Sequence, residues 1–253
     1  MGEALACGLL AAGWCDPPEL VIVEAFAARR DELTAHPSLA GVAIMADPPA
    51  GEGAVIAVKP GDVAAACRAV ATAGAGRVLS IAAGVRLAAL ERDLGAGTPV
   101  VRAMPNTPAL VGAGASAIAP GTAAGPEDMA WAESVLSSVG LVVRVPEHQL
   151  DAVTGLSGSG PAYVFLVAEA LTEAGVLAGL ARETSAALAH QTLLGAARLL
   201  VETGQGPEAL RAAVTSPGGT TAAGLQVLEE RAARAAILAA VQAATERSRQ
   251  LGD

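Results

Sequence analysis

Six consecutive residues, Ser216-Pro217-Gly218-Gly219-Thr220-Thr221, concentrate more potential chemistry than any other stretch of this chain. They lie between two helical patterns, Pro207 to Val214 and Ala222 to Glu230. Adjacent glycines leave the backbone open to a bound group and tolerate positive φ. Thr220 and Thr221 then place hydroxyls where the following helix begins. A helix start presents several unpaired N–H groups and carries about half a positive charge. Together these features predict a small pocket for an anion, a carboxylate or a phosphate. The same six residues also read as a Pro–Gly turn followed by a threonine N-cap. The surrounding chain must decide between the two.

Before this turn, short apolar runs alternate with helical patterns. Met1 to Ala12 reads as a helix with Leu5, Leu9 and Leu10 along one face. Strands are predicted at Leu20–Val23, Val42–Met45, Ala54–Val58, Val78–Ile81, Pro99–Ala103 and Leu141–Val145, the last of them. Helices are predicted at Arg29–Ala35, Asp62–Thr72, Val85–Leu94 and Glu127–Val139. That alternation predicts a parallel sheet covered by helices on both faces. In such sheets ligands bind beyond the carboxyl ends of the strands. Glu24, Lys59-Pro60, Ala82-Ala83-Gly84 and Met104-Pro105-Asn106 all fall there. Singly, each is an ordinary turn. As a set, they suggest one elongated ligand such as a dinucleotide.

After Asp151 strand signals nearly vanish. Helices are expected from Ser159-Gly160-Pro161 to Glu173, over Arg182–Thr203 and Pro207–Val214, and over Ala222–Glu230 and Ala232–Leu251. The predicted division is therefore an α/β domain over residues 1–150 and an all-helical domain over 151–253, whose Ala- and Leu-rich faces exceed the needs of one small bundle.

Composition narrows the function classes. Apolar residues make up 53% of the chain but aromatic ones only 2%, so the core has to be built from Ala, Val and Leu. A formal charge of −9 disfavours nucleic acid and anionic membranes as partners. No uninterrupted apolar run approaches the ~18 residues of a membrane span, and the N-terminus lacks the basic start of a secretory signal. Cys7, Cys15 and Cys67 have no metal-ligand spacing, which fits a reducing cytoplasm. His36, His148 and His190 read as structural or surface residues, and no metal is expected. Lys59 is the only lysine among sixteen basic residues. In a chain that otherwise uses arginine, it marks a place where the two are not equivalent.

Five motifs in order and spacing resemble one family: A-V-K-P at Ala57–Pro60, S-I-A-A-G-V at Ser80–Val85, R-A-M-P-N-T-P at Arg102–Pro108, G-S-G-P-A-Y at Gly158–Tyr163 and T-S-P-G-G-T-T at Thr215–Thr221. Over nearly the whole chain they look like pyrroline-5-carboxylate reductase. The resemblance implies a Rossmann-like doubly wound sheet followed by an all-α domain that pairs subunits into a homodimer, assembling further into a larger homo-oligomer. It implies a small-molecule substrate, (S)-1-pyrroline-5-carboxylate, reduced to L-proline with NADPH or NADH in the cytoplasm. Ser216, Gly218, Gly219, Thr220 and Thr221 would bind the substrate, with Thr221 also catalytic through its hydroxyl beside the ring nitrogen. Met1, Gly2, Glu24, Ala57, Val58, Lys59, Pro60, Ala82, Ala83, Asn106 and Glu147 would form the cofactor site.

Two departures accompany the resemblance. Family members begin with a hydrophobic strand and a G-x-G-N-M-G loop, of which Met1-Gly2 matches only the last two residues. The Leu20 and Ala54 strands are therefore expected to lack a central neighbour, whether the cellular protein starts upstream or the chain is a truncated, catalytically impaired oligomerising paralogue. Glu24 at the end of its strand favours an NAD ribose, whereas Arg29 and Arg30 stand near enough in sequence to offset it for NADP. A related imine reductase or a β-hydroxyacid-type dehydrogenase shares this architecture, but the S-P-G-G-T-T turn disfavours the dehydrogenase.

Overall fold

The computed structural model describes residues 1–252. Contacts divide the chain into two compact units: Met1–Ser159 together with the segment from Ala243 onward, and Gly160–Gln242. The division thus falls nine residues beyond the expected boundary at 150, and the chain's final turns return to the first unit.

In the first unit, chain order runs α1 (Gly2–Ala11), β1 (Val21–Val23), α2 (Ala27–Thr34), β2 (Ala43–Met45), β3 (Ala54–Ile56), α3 (Val63–Ala73), β4 (Val78–Ser80), α4 (Leu87–Leu94), β5 (Val100–Met104), β6 (Gly114–Pro120), α5 (Pro126–Ser137), β7 (Gly140–Arg144) and α6 (Leu150–Val153). A π-helical turn, Thr154–Gly158, follows α6. Strand pairing divides into two sheets, β1-β2 and β3-β4-β5-β6-β7. As expected, the Leu20 and Ala54 strands each pair on one side only, β1 with β2 and β3 with β4.

One strand was not anticipated, and it corrects the all-parallel expectation. β6 runs antiparallel to β5 and parallel to β7. Its sequence, GASAIAP, has one β-branched residue, so neither composition nor alternation marks it as a strand. Burial between β5 and β7 overrides that weak propensity.

Alternation along the strands divides the core between two faces. Leu79, Val101 and Ile118 meet α1 and α5 through Leu5, Leu9, Ala132 and Leu136. Their neighbours Val78, Val100 and Ala117 meet α3, α4 and α6 through Cys67, Leu90 and Leu150. Each fully buried Leu or Val contributes about 1.5–3 kcal/mol.

The second unit holds α7 (Gly160–Leu177), α8 (Arg182–Thr203), α9 (Pro207–Ala213), α10 (Thr220–Glu230) and the first half of α11 (Ala233–Gly252). Gly175 lets Ser185 close on α7, where the Ser185 hydroxyl donates to the Thr172 carbonyl at 2.7 Å. Beyond that contact the unit has almost no core. Among the described residues, Ala189 is its only buried apolar side chain, while Leu177 is 91% and Val201 83% exposed.

No run is uninterruptedly apolar over that length, but one helical segment is long and apolar enough, by length and composition, to cross a bilayer. The helical segment Glu147–Leu177 contains an 18-residue window of mean hydropathy 1.3, only 6% of it buried. Its exposed apolar residues continue onto α8 and α11 at Leu188, Leu194, Leu199, Ile237 and Leu238. Those two helices do not pass the same length and hydropathy test among the described residues, so the apolar surface is shared with helices too polar to span.

The three cysteines are free thiols. Cys67 is fully buried, and desolvation, aided by the Asp93 charge, raises its pKa to about 11. Raised folded-state pKa values keep thiols protonated and unreactive. Pulsed alkylation at pH 8 followed by mass spectrometry should label Cys67 only after denaturant is added, with Cys7 and Cys15 reacting in the native protein.

Candidate active site

Four sequence-predicted positions sit at the carboxyl ends of strands within the first unit: Glu24 after β1, Ala57–Pro60 after β3, Ala82-Ala83 after β4 and Asn106 after β5. The start of α1 joins them. A Cβ on Gly2 would stand 3.0 Å from the Ala57 Cβ, so only glycine lets the helix start this close to the end of β3. Glu3, one residue on, pairs with Arg29 in the first turn of α2, just past the end of β1. The α1 N-terminus therefore opens at the same edge as β1 and β3. No side chain caps it, which leaves its first N–H groups and the positive end of its dipole for an anionic group.

Lys59 stands exposed on that edge, and among the described residues its ammonium has no carboxylate partner. An uncapped helix start beside an unpaired lysine fits a phosphate-bearing nucleotide. A phosphate-bearing nucleotide bound at this edge would meet Met1, Gly2 and Lys59 with its phosphates and Ala57, Val58, Pro60, Ala82 and Ala83 as apolar or backbone walls.

Glu24, Asn106 and Glu147 are engaged within the protein. Glu24 accepts from its own loop, the Phe26 N–H at 2.9 Å, while Arg30 donates to the Glu24 and Ala25 carbonyls at 2.8 Å. Arg29 is held by Glu3 and Glu32. Asn106, 9% exposed, uses both ends of its amide: Nδ2 donates to the Ser157 carbonyl at 3.0 Å and Oδ1 accepts from the Ala115 N–H at 2.8 Å. It ties R-A-M-P-N-T-P to the G-S-G-P region and to the unanticipated β6. Glu147 accepts from the Leu87 N–H at 2.7 Å and from Arg102 at 2.8 Å. That carboxylate caps α4 and neutralises a guanidinium only 8% exposed.

Arg102 lies within R-A-M-P-N-T-P, whose strand-end loop gives it no ligand role. The signal was available: an arginine in a strand whose first four residues are all buried demands an acidic partner.

In the second unit the Ser216–Thr221 turn forms as the glycines require. Gly218 has φ +68°, and the Gly219 N–H closes the turn on the Ser216 carbonyl at 3.0 Å. Gly219 is the N-cap of α10, so the helix starts at Thr220, two residues earlier than expected, and no side chain caps it. A Cβ on Gly219 would lie 3.3 Å from the Ser216 hydroxyl. Glycine keeps the space between that hydroxyl and the helix start clear. Thr220 is exposed and Thr221 half-buried. The threonine N-cap reading fails, because the hydroxyls do not satisfy the N–H groups.

Comparison with known proteins bears on both units. Residues 147–251 match a family model described as pyrroline-5-carboxylate reductase dimerisation. The Synechocystis pyrroline-5-carboxylate reductase is 45% identical over 263 residues, covering 100% of this chain and 95% of that protein. The chain belongs to the pyrroline-5-carboxylate reductase family.

Solved structures agree. The Coxiella burnetii pyrroline-5-carboxylate reductase superposes with a TM-score of 0.93 at 36% identity, covering 100% of this chain and 95% of that one. The Plasmodium falciparum enzyme, solved with NADP bound, gives 0.83 at 30% identity with the same coverage. The family's Rossmann-type sheet and all-helical C-terminal region are those described above.

Removing the Glu147 carboxylate strands a buried charge and uncaps α4. Because Glu147 is one-third exposed, Glu147→Ala should cost about 2 kcal/mol, below the full penalty for breaking a buried pair. Glu147→Gln, which keeps an acceptor, should cost about half as much. Urea denaturation of the two variants measures the difference.

Proposed function

We propose that the protein reduces (S)-1-pyrroline-5-carboxylate to L-proline with NADPH or NADH, in proline biosynthesis in the cytoplasm. The observation that carries this reading is the uncapped start of α10 beside the Ser216 and Thr221 hydroxyls, in a chain 45% identical to a relative of that name. A five-membered cyclic imine with a carboxylate on the ring suits such a turn. The carboxylate is received by the Ser216 hydroxyl and the N–H groups from Gly219 to Thr221, with Gly218 and Thr220 shaping the turn. The Thr221 hydroxyl lies beside the ring nitrogen.

When bound, reduced nicotinamide would supply the hydride for the imine carbon, with the C=N π pair moving onto nitrogen. The nitrogen carries a proton into the product amine. Protonation makes a cyclic imine a ready hydride acceptor, so the protein need not supply a strong acid. Thr221 supports the protonated nitrogen or relays a proton to it from water. The remaining contribution is orientation, which fits the absence of His and Cys from every motif.

Both nucleotides are included for a geometric reason. The arginines that would offset Glu24 for a 2′-phosphate are engaged by Glu3 and Glu32 and by backbone carbonyls. Turnover compared with each nucleotide settles the preference. Two copies pair through the helical unit, whose apolar side chains otherwise stay in water; assembly into larger rings is part of the same proposal. One specific observation favours a second reading, an oligomerising chain with impaired nucleotide binding: the sheet is interrupted between β1 and β3.

Oxidation of NADPH by the purified protein, dependent on pyrroline-5-carboxylate, supports the first reading; its absence supports the second. Thr221→Ala should lower turnover by tens-fold with the circular dichroism spectrum unchanged, and unaltered kinetics would remove Thr221 from the mechanism. Light scattering should give a mass at least twice 24.8 kDa.

A further inference from the structure

The last turns of α11 grip the loop between β4 and α4. Arg86 Nε donates to the Gly252 carbonyl at 2.9 Å. A Cβ on Gly84 would lie 3.8 Å from the Leu251 carbonyl oxygen, and one on Gly252 would lie 3.3 Å from the Gly84 carbonyl oxygen. One turn back, the Ser248 hydroxyl donates to Asp151 Oδ1 at 2.7 Å. Thr245 and Ser248 are each 8% exposed, although the helix faces around them are open to solvent. Small polar residues are buried here because this end of α11 is docked.

The gripped loop includes Ala82 and Ala83, two of the proposed nucleotide-lining residues. Gly84 at its centre has φ +76° and no side chain to anchor it. Left alone, such a segment must be ordered when a ligand arrives, and that ordering subtracts from affinity. Two holds prevent this. Glu147 fixes the Leu87 N–H at the end leading into α4, and α11 fixes Arg86 and covers Gly84. Asp151, which anchors α11, follows Glu147 by one helical turn, so both holds spring from the same short helical segment.

We propose that the C-terminal turns of α11 act as a strap that presets the Ala82–Arg86 loop for the nucleotide, with Arg86, Asp151 and Ser248 as positioning residues. The strap rests on the nucleotide site proposed above. It assigns the end of α11 a task separate from pairing subunits, which the exposed faces of the helical unit perform.

Nucleotide affinity measured directly separates the strap from general stability. In titrations of the full-length protein followed by NADPH fluorescence, Arg86→Ala and Asp151→Ala should each raise Kd about five- to tenfold, as loss of the hold each side chain supplies would. Asp151→Asn retains an oxygen acceptor for Ser248 and should stay within about twofold of the parent. In steady state, KM for the nucleotide should rise in the two alanine variants while KM for pyrroline-5-carboxylate and the mass in solution hold. The strap is overturned by alanine variants that bind NADPH like the parent, by Asp151→Asn matching Asp151→Ala, or by both KM values rising together. A parent protein that fails to bind either nucleotide overturns the nucleotide site and the strap alike; binding by the parent with unchanged variants overturns the strap alone.

Discussion

A guanidinium buried in a sheet must be neutralised where it stands, and much of the first unit is arranged around that requirement. Arg102 sits on β5 with only 8% of its side chain exposed. Leaving a charge there unpaired would cost several kcal/mol. Its partner Glu147 comes from beyond β7, so the pair joins the middle of the sheet to the segment that leads into the helical unit. The same carboxylate caps α4, whose preceding loop is one of the strand-end loops that a nucleotide would meet. A single carboxylate thus ties sheet, helix and loop together. Asn106 does the same with neutral groups, tying the end of β5 to β6 and to the π-helical turn.

The helical unit obeys a different constraint. A folded segment of this size that buries one alanine among its apolar side chains cannot be stabilised by its own core. Its helices are nonetheless well formed, and Ser185 fixes the α7–α8 pair through a close approach that glycine permits. The remaining apolar surface is spread over several helices, the pattern of an obligate interface. Membership in a family whose matched region is described by its dimerisation accounts for that surface without invoking a lipid phase.

Much of this was legible from residue types alone. The paired glycines announced a turn that opens onto a helix start, and the alternation of apolar runs with helical patterns announced the doubly wound sheet. β6 was illegible because Gly, Ala and Ser carry almost no strand signal, and its pairing with β5 and β7 arises from tertiary burial. The roles of Glu147 and Asn106 were only half legible. Motif position placed them near the nucleotide edge, but a side chain's hydrogen-bond partner 45 or 51 residues away leaves no trace in local sequence. The return of α11 to the first unit was hidden for the same reason. Ser248 looks like a solvent-facing helix residue until Asp151 is seen beside it.

An acidic protein proposed to handle two anionic ligands poses an electrostatic problem, and the proposed sites answer it mainly with backbone groups. With a net charge of −9, long-range attraction cannot deliver a carboxylate or a dinucleotide. Affinity has to come from short-range, directed groups. Both proposed anion sites are therefore starts of helices, α1 and α10, and neither is closed by a capping side chain. Capping would stabilise a helix by about 1 kcal/mol; α10 forgoes it at a start where glycine also clears the approach. Backbone N–H groups carry no side-chain entropy to lose and do not collapse onto nearby carboxylates, as Arg29 does on Glu3 and Glu32. The one exposed lysine that stays unpaired is the exception that fits, because it stands beside one of those helix starts.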